Sequence, residues 1–387
     1  MQCISDTPAT SRTPRVRFDR HELAGSFGDI GTDLPLIVGM IYAAGLNSAS
    51  VFVVFGALQI VMGLVYGLPM PMQPLKAMAV IVIAKQLPAN VLLGGGFSIG
   101  LMMLVLTLTG GLTLLTRVIP VCVVRGVQLG LGLSLASLAL TKYIPAAGVS
   151  GYVVAACGLL LMLALWGNQR VPPGLLLIAL GILCAVYAGL DVRTIGRGFG
   201  LTVPALHVPG WSDIWTGFLV LAIPQLPLSI SNSVIATNQT IKDLFPERRV
   251  TTRMIGLTFA LANLIVPWLG GIPVCHGCGG LAGHYAFGGR TGGSAIIYGM
   301  LYLLLGLCFS RPLQEVLKVF PQPVLGVVLL FESLALMRLI GDQAHSPRAL
   351  SIVLLVGVVA YSVPHGFVIG LLLGVLVYYL FRRFGVA

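Results

Sequence analysis

The sequence predicts an all-α polytopic membrane protein of fourteen spans, built as a 7+7 inverted repeat with two broken half-helices. Composition is the first observation behind this: of 387 residues, 57% are hydrophobic and 9% charged, with a mean hydropathy of +0.97. A soluble surface normally needs about 25% charged residues. The second is a matched pair of interruptions in otherwise apolar sequence, Leu68-Pro69-Met70-Pro71-Met72-Gln73-Pro74-Leu75-Lys76 and Ile272-Pro273-Val274-Cys275-His276-Gly277-Cys278-Gly279-Gly280. Non-helical backbone at membrane depth is tolerated only where protein buries it or where it lines a cavity. Two such breaks therefore predict a central site between facing half-helices, the signature of a secondary transporter. The third is an internal echo: Asp33-Leu34-Pro35-Leu36 in span one is matched by Gln225-Leu226-Pro227-Leu228 in span eight, and the breaks fall in spans three and ten.

Apolar length and turn punctuation place the spans near 27–45, 50–67, 70–86, 91–115, 119–140, 151–166 and 172–190 in the first half, and near 214–237, 254–270, 272–288, 293–309, 321–340, 349–363 and 366–381 in the second. An odd number of spans per repeat inverts the second copy and puts the site near the midplane. The segment through Glu22 carries Arg12, Arg15, Arg17 and Arg20 without an apolar core, so it reads as a cytosolic tail and not a cleavable signal peptide. With both termini cytosolic, in a plasma or bacterial inner membrane, most Lys and Arg fall on the inside, the Lys242, Arg248, Arg249, Arg253 loop above all. The net charge of +11 is spread in ones and twos between apolar runs, which argues against a nucleic-acid partner. Seven cysteines, mostly single as at Cys122, Cys157, Cys184 and Cys308, do not make a disulfide framework.

Two helix N-termini aimed at one point supply about half a positive charge each, together with backbone N–H groups that wrap an oxyanion. A tetrahedral dianion then leaves about one charge over, and Lys76 is the Lys near a break. An alternative for Lys76 is an ion pair with Asp29 or Asp33. These two acids lie i and i+4 on span one; beside a dianion at least one must be protonated or paired, which makes them proton-coupling candidates, with Glu332 the third intramembrane acid. Asp29 also fits a helix N-cap. Gln73, Gln225, Ser229 and Asn232 offer neutral polar groups; for Asn232 helix–helix hydrogen bonding is the favoured reading. Arg125, a turn into span five, is a gate contact for the anion or a snorkelling interfacial residue. Cys275 and Cys278 form a C-x-x-C, but no second ligand pair and no βαβ context accompany it, so neither metal nor cofactor is expected, and Cys278 reads as replaceable by alanine. Gly277, Gly279 and Gly280 mark close backbone approach to a ligand or a neighbouring helix. His276 bonds either the anion or its own loop.

Five motifs carry a family resemblance: residues Phe27 to Pro35, Pro69 to Ala77, Val124 to Gly130, Pro224 to Leu228 with Asn232 to Ala236, and Pro273 to Gly277 with Gly280 to Gly283. From about residue 23 to 340 the chain resembles the molybdate transporter family within the sulfate permease superfamily. The resemblance implies a core domain of spans one to four and eight to eleven (23–117 and 214–310) that carries substrate against a gate domain of spans five to seven and twelve to fourteen (118–213 and 311–387), after a tail at 1–22. Like the molybdate branch, the chain is expected to lack a cytosolic regulatory domain after the last span. The implied activity is proton-coupled import of molybdate by alternating access. The alternatives are sulfate or another oxyanion, and a nucleobase on the same fold as in uracil and xanthine permeases. No nucleophile and base pair suggests an enzyme. The expected partners are the oxyanion, protons and membrane lipid, and the oligomeric state stays open, a homodimer included.

Overall fold

Ser48–Tyr66 shows why these apolar runs become helices. The Asn47 side chain accepts from the Ser50 amide at its start, nineteen residues follow without Pro, and Gly67 closes it in the left-handed region at φ 64°. The computed structural model describes residues 15–165, 173–187, 204, 206–310 and 320–384. The tail before Arg15, the end of span seven beyond 187 and the 311–319 segment lie outside the described residues.

In chain order the helices are α1 (Arg20–Gly25), α2 (Ile30–Ala44), α3 (Ser48–Tyr66), α4 (Lys76–Lys85), α5 (Ala89–Thr109), α6 (Gly111–Val118), α7 (Val121–Leu138), α8 (Gly148–Ala164) and α9 (Pro173–Tyr187). They continue with α10 (Trp211–Leu244), α11 (Thr252–Ile265), α12 (Cys278–Ala286), α13 (Gly292–Cys308), α14 (Gln322–Arg338), α15 (Pro347–Ser362) and α16 (Gly366–Phe384). Seven helical runs among the described residues are long and apolar enough to cross a bilayer, and α13 and α15 are shorter apolar helices.

Two expectations change. The chain is not purely α-helical: β1 (Gln73–Pro74) and β2 (Val274–Cys275) pair antiparallel, Gln73 opposite Cys275 and Pro74 opposite Val274. The prolines at 69, 71, 74 and 273 deny the helix its amides, so both stretches stay extended until the helices begin at Lys76 and Cys278. With ten and nine residues, α4 and α12 reach about half way through a hydrocarbon core of about 30 Å. Between spans five and six the chain leaves the α-helix through a π segment at Ala139–Tyr143 and a 3-10 turn at Ile144–Ala147, and Gly148, at φ 59° and ψ −139°, turns it into α8, so the expected break stands. Second, span eight is longer than expected and loosened by π segments at Phe218–Ala222 and Ser229–Ala236, on either side of Pro224 and Pro227.

Helices α3 and α13 pack together most extensively. A Cβ on Gly56 would lie 2.6 Å from the Gly299 carbonyl oxygen, and one on Gly299 would lie 2.5 Å from that of Gly56. Backbone meets backbone there, the small-residue packing typical of membrane helices. Elsewhere α5 lies against α10 and α11, while α7 lies against α14, α15 and α16. The outer faces carry exposed apolar side chains such as Leu64, Leu108, Leu160, Leu304, Leu354 and Leu372, which suits contact with lipid tails.

The segment before span one is tied down. Arg15 Nη2 donates to the Val65 carbonyl at the end of α3 at 2.6 Å, and the Arg17 amide donates to Thr291 Oγ1 at 3.0 Å. Glu22 is fully buried. Its Oε1 accepts from the amides of Arg290 (3.1 Å) and Thr291 (2.9 Å) and its Oε2 from that of Ser294 (3.0 Å). A carboxylate on the free amides of a helix start is a strong cap, since hydrogen bonds to charged groups contribute about 1.5–3 kcal/mol each. Glu22→Ala should therefore destabilise the protein by about 2–4 kcal/mol, read as a lower thermal unfolding temperature in detergent, and Glu22→Gln should recover part of the loss. An unchanged melting temperature for Glu22→Ala would show that the cap is dispensable.

Candidate functional site

Extended backbone inside an apolar bundle must find partners, and in both breaks an amide side chain from the preceding helix supplies them. On α3, Gln59 donates through Nε2 to the Met72 carbonyl (2.8 Å) and accepts through Oε1 from the Met72 amide (3.1 Å). On α11, Asn263 does the same for Val274, with Nδ2 to the carbonyl at 2.7 Å and Oδ1 from the amide at 2.9 Å. The Leu75 amide donates to the Pro273 carbonyl at 3.0 Å, joining the two breaks. The first residues of the two half-helices, Lys76 and Cys278, are thus brought to one place.

His276 braces the same region. It is fully buried, with Nδ1 3.2 Å from the Pro71 carbonyl and Nε2 2.8 Å from Thr258 Oγ1. A carbonyl only accepts, so the proton sits on Nδ1. The ring bonds neither its own loop nor the cavity: its partners are Pro71 of the first break and Thr258 of α11, and it is not among the lining residues.

That cavity, of about 270 Å³, is lined by Gln73, Lys76, Gln128, Gln225, Leu228, Asn232, Ser233, Cys275, Cys278, Gly279, Leu336 and Leu339. Five of the sequence-derived candidates meet there: Gln73, Lys76, Gln225, Cys275 and Gly279. Ser229 does not line it; it is buried and accepts from Gln225 Nε2 at 3.1 Å, fixing that amide from behind. Gln225 Oε1 accepts from the amides of Ala77 (2.9 Å) and Met78 (3.3 Å), so the first turn of α4 is capped by a side chain from α10. At α12 the residue before the helix is Gly277, which has no side chain to cap the turn.

The three glycines of the second break divide. A Cβ on Gly279 would meet nothing within 4 Å, consistent with its place on the cavity wall. One on Gly277 would collide with Gln73 Oε1, and one on Gly280 with Asp29 Oδ2. Gly277 and Gly280 let α12 sit against span one and the first break, and Gly277 lies off the cavity wall. Asp29 occupies the N-cap position of α2 without a side-chain capping bond; its Oδ1 accepts instead from Gln73 Nε2 at 2.6 Å. Asp33 is buried in the first turn of the same helix. Glu332 belongs to α14, and its side chain lies outside the described residues.

A second cavity of about 300 Å³ is lined by Ile119, Val124, Arg125, Gln128, Ile230 and Asn232 among others. Arg125 belongs to this one and not to the first. It is tied through Nε to Asp342 Oδ2 at 2.8 Å and through Nη1 to Gln128 Oε1 at 3.0 Å. Among the described residues, no group of three or more His, Cys, Asp or Glu is placed to hold a metal. Sequence reasoning missed Gln59, Asn263 and Gln128, although each is a lone amide in an apolar run, a signal that was there to be read.

Comparison with known proteins agrees with this geometry. A family model described as "Molybdate transporter of MFS superfamily" matches residues 21–135 and 217–336. Molybdate transporter 1 of Arabidopsis thaliana is 33% identical over 361 residues, which cover 81% of this chain and 78% of that protein. Molybdate transporter 2 of the same plant is 32% identical over 363 residues, covering 81% and 77%. Among solved structures, the murine Slc26a9 anion transporter in its inward-facing state superposes with a TM-score of 0.70 at 13% identity, covering 96% of this chain and 70% of that one. The transmembrane domain of the cyanobacterial bicarbonate transporter BicA gives 0.66 at 16%, covering 94% and 98%. In a further SLC26A9 structure (0.68 at 12%, covering 93% of this chain) the match spans 65% of the longer chain. At such identities the structures speak for the fold alone. The two matched blocks enclose both breaks and every polar lining residue of the central cavity, and on them the chain belongs to the molybdate transporter family, with the fold of the SLC26 and sulfate permease anion transporters.

Proposed function

We propose that this protein carries a tetrahedral oxyanion, molybdate first, across the membrane by alternating access, with proton coupling. The observation that carries the reading is the donor set of the central cavity. Gln73, Gln225, Gln128 and Asn232 bring carboxamides, Lys76 an ammonium, and α12 a helix start without a side-chain cap, while no carboxylate lines the wall among the described residues. The relatives' names add support, since two plant proteins about one-third identical are molybdate transporters. Helix ends contribute about half a charge each, and Lys76 brings the total near that of a dianion. A nucleobase would call for a carboxylate pair to hold its ring N–H groups, and the corresponding places hold Gln225 and His276, the latter already engaged in the brace.

The division of contacts supports a core of 23–117 and 214–310 moving against a gate of 118–213 and 311–387. Helix α3 pairs with α13 and α5 with α10 and α11, whereas α7 gathers α14, α15 and α16. The amide clamps of Gln59 and Asn263, one per break, support an inverted repeat. Asp33 and Asp29, buried one turn apart beside Gln73 and α12, are the proposed proton carriers, with both termini placed in the cytosol.

In proteoliposomes the purified protein should take up molybdate, with tungstate competing, sulfate competing poorly and uracil without effect; inhibition by uracil as strong as by tungstate would move the assignment to a nucleobase. Lys76→Ala should lose most of the uptake while remaining monodisperse, because a dianion in a low-dielectric site is left under-compensated, and wild-type uptake by that variant would take Lys76 out of the site. Uptake should rise as external pH falls, since protonation of a carboxylate completes the loaded carrier, and Asp33→Asn should flatten that profile even where it slows transport. A mutant profile with the wild-type slope would assign coupling to another group.

A further inference from the structure

The two cavities share two polar side chains, Gln128 of α7 and Asn232 of α10. Each carboxamide has its oxygen already taken. Arg125 Nη1 donates to Gln128 Oε1 at 3.0 Å, and Cys278 Sγ donates to Asn232 Oδ1 at 3.1 Å. A guanidinium has no acceptor, so it decides which end of Gln128 faces it, and the thiol hydrogen does the same for Asn232. Arg125 is itself held by Asp342 through two of its nitrogens. Among the described residues neither NH2 group is bonded to the protein, and Gln128 is buried. The wall common to the two cavities thus carries two carboxamides from different helices whose oxygens each already accept a hydrogen bond and whose NH2 groups are unbonded to the protein among the described residues.

We infer that Gln128 and Asn232 form a carboxamide neck, a second binding station for the oxyanion between the outer cavity and the central one, with Cys278 and Arg125 as its positioning residues. The inference rests on the oxyanion-transport reading and adds to it where selection takes place. A tetrahedral oxyanion accepts hydrogen bonds through every oxygen, so paired N–H donors suit it. A cation or a solute rich in donors meets at these two side chains only oxygens already engaged by Arg125 and Cys278, and regains less than the water it sheds. Neutral donors hold a dianion without binding it too tightly to leave, as a passage between two sites requires. The neck also changes the standing of Cys278. The spacing of the Cys pair made it look dispensable, but its thiol turns Asn232.

The test uses the full chain in proteoliposomes, with initial rates of molybdate uptake and thermal unfolding in detergent measured for each variant. Gln128→Met and Asn232→Leu, which keep size and remove the donors, should each raise KM for molybdate about tenfold or more, as expected for lost hydrogen bonds to a charged ligand. Asn232→Asp, which keeps the shape and puts an anion in the neck, should abolish uptake. Cys278→Ala should raise KM about threefold, by the weaker bond of a thiol, and Cys278→Ser, whose hydroxyl donates to the same oxygen, should restore it. A purely structural role would lower the unfolding temperature and the maximal rate while leaving KM in place, and would not separate serine from alanine at position 278. Wild-type protein that takes up no molybdate would bring down the transport reading and the neck with it. Wild-type uptake combined with unchanged KM in Gln128→Met and Asn232→Leu, or full activity in Asn232→Asp, would overturn the neck alone.

Discussion

The site depends on how two pieces of extended backbone are satisfied deep in an apolar bundle. An unbonded peptide group in hydrocarbon costs several kcal/mol, and each break exposes a run of them. Gln59 and Asn263 answer with the same two-bond clamp, β1 and β2 answer each other, and His276 ties Pro71 to Thr258 across them. Gln59, Asn263 and His276 do not line the central cavity, yet they set where Lys76 and Cys278 stand. The broken geometry is stable because its polar groups are paired in the interior, which leaves the half-helix starts to shape the cavity.

The two half-helices are alike in placement and different in chemistry. Lys76 and Cys278 are each the first residue of their helix and each line the cavity. On α4 the first-turn amides go to Gln225, and the positive charge comes from the Lys76 side chain. On α12 no side chain covers the turn, and Gly279 keeps the wall bare. One arm of the site thus offers an ion and the other a dipole.

Much of this was legible in the sequence because the breaks are written in residue types with a single structural meaning. A Pro cannot donate an amide, and where Pro69, Pro71 and Pro74 cluster, or Pro273 stands among glycines, the apolar span ends, whereas Pro224 and Pro227 are kept inside α10. Lys76, Gln73, Cys275 and Gly279 were recognisable by their nearness to those breaks, and Gln225 by the Leu-Pro-Leu echo of span one. What could not be read was direction. Spacing places His276 and Gly277 beside Cys275, but only the tertiary arrangement turns the ring toward Pro71 and packs Gly277 onto Gln73. Ser229 shares a helical face with Gln225, yet it lies behind that amide. Partners far apart in the chain, such as Glu22 with Ser294 or Arg125 with Asp342, leave no local trace.

The seam between α3 and α13 has a mechanical consequence. Gly56 and Gly299 bring main chain against main chain, and Gly63 sits as closely on the Gly292 carbonyl. Most helix pairs slide a little because side chains between them change rotamer and act as a lubricant. At these glycines main chain itself forms the contact, with the Phe52, Phe55 and Tyr302 rings packed beside it, and a shift along the axis would drive carbonyl oxygens into neighbouring backbone. The pair therefore has no soft longitudinal mode; with Arg15 and Glu22 fastening one end, it behaves as a single stiff beam that can tilt or rotate only as a whole.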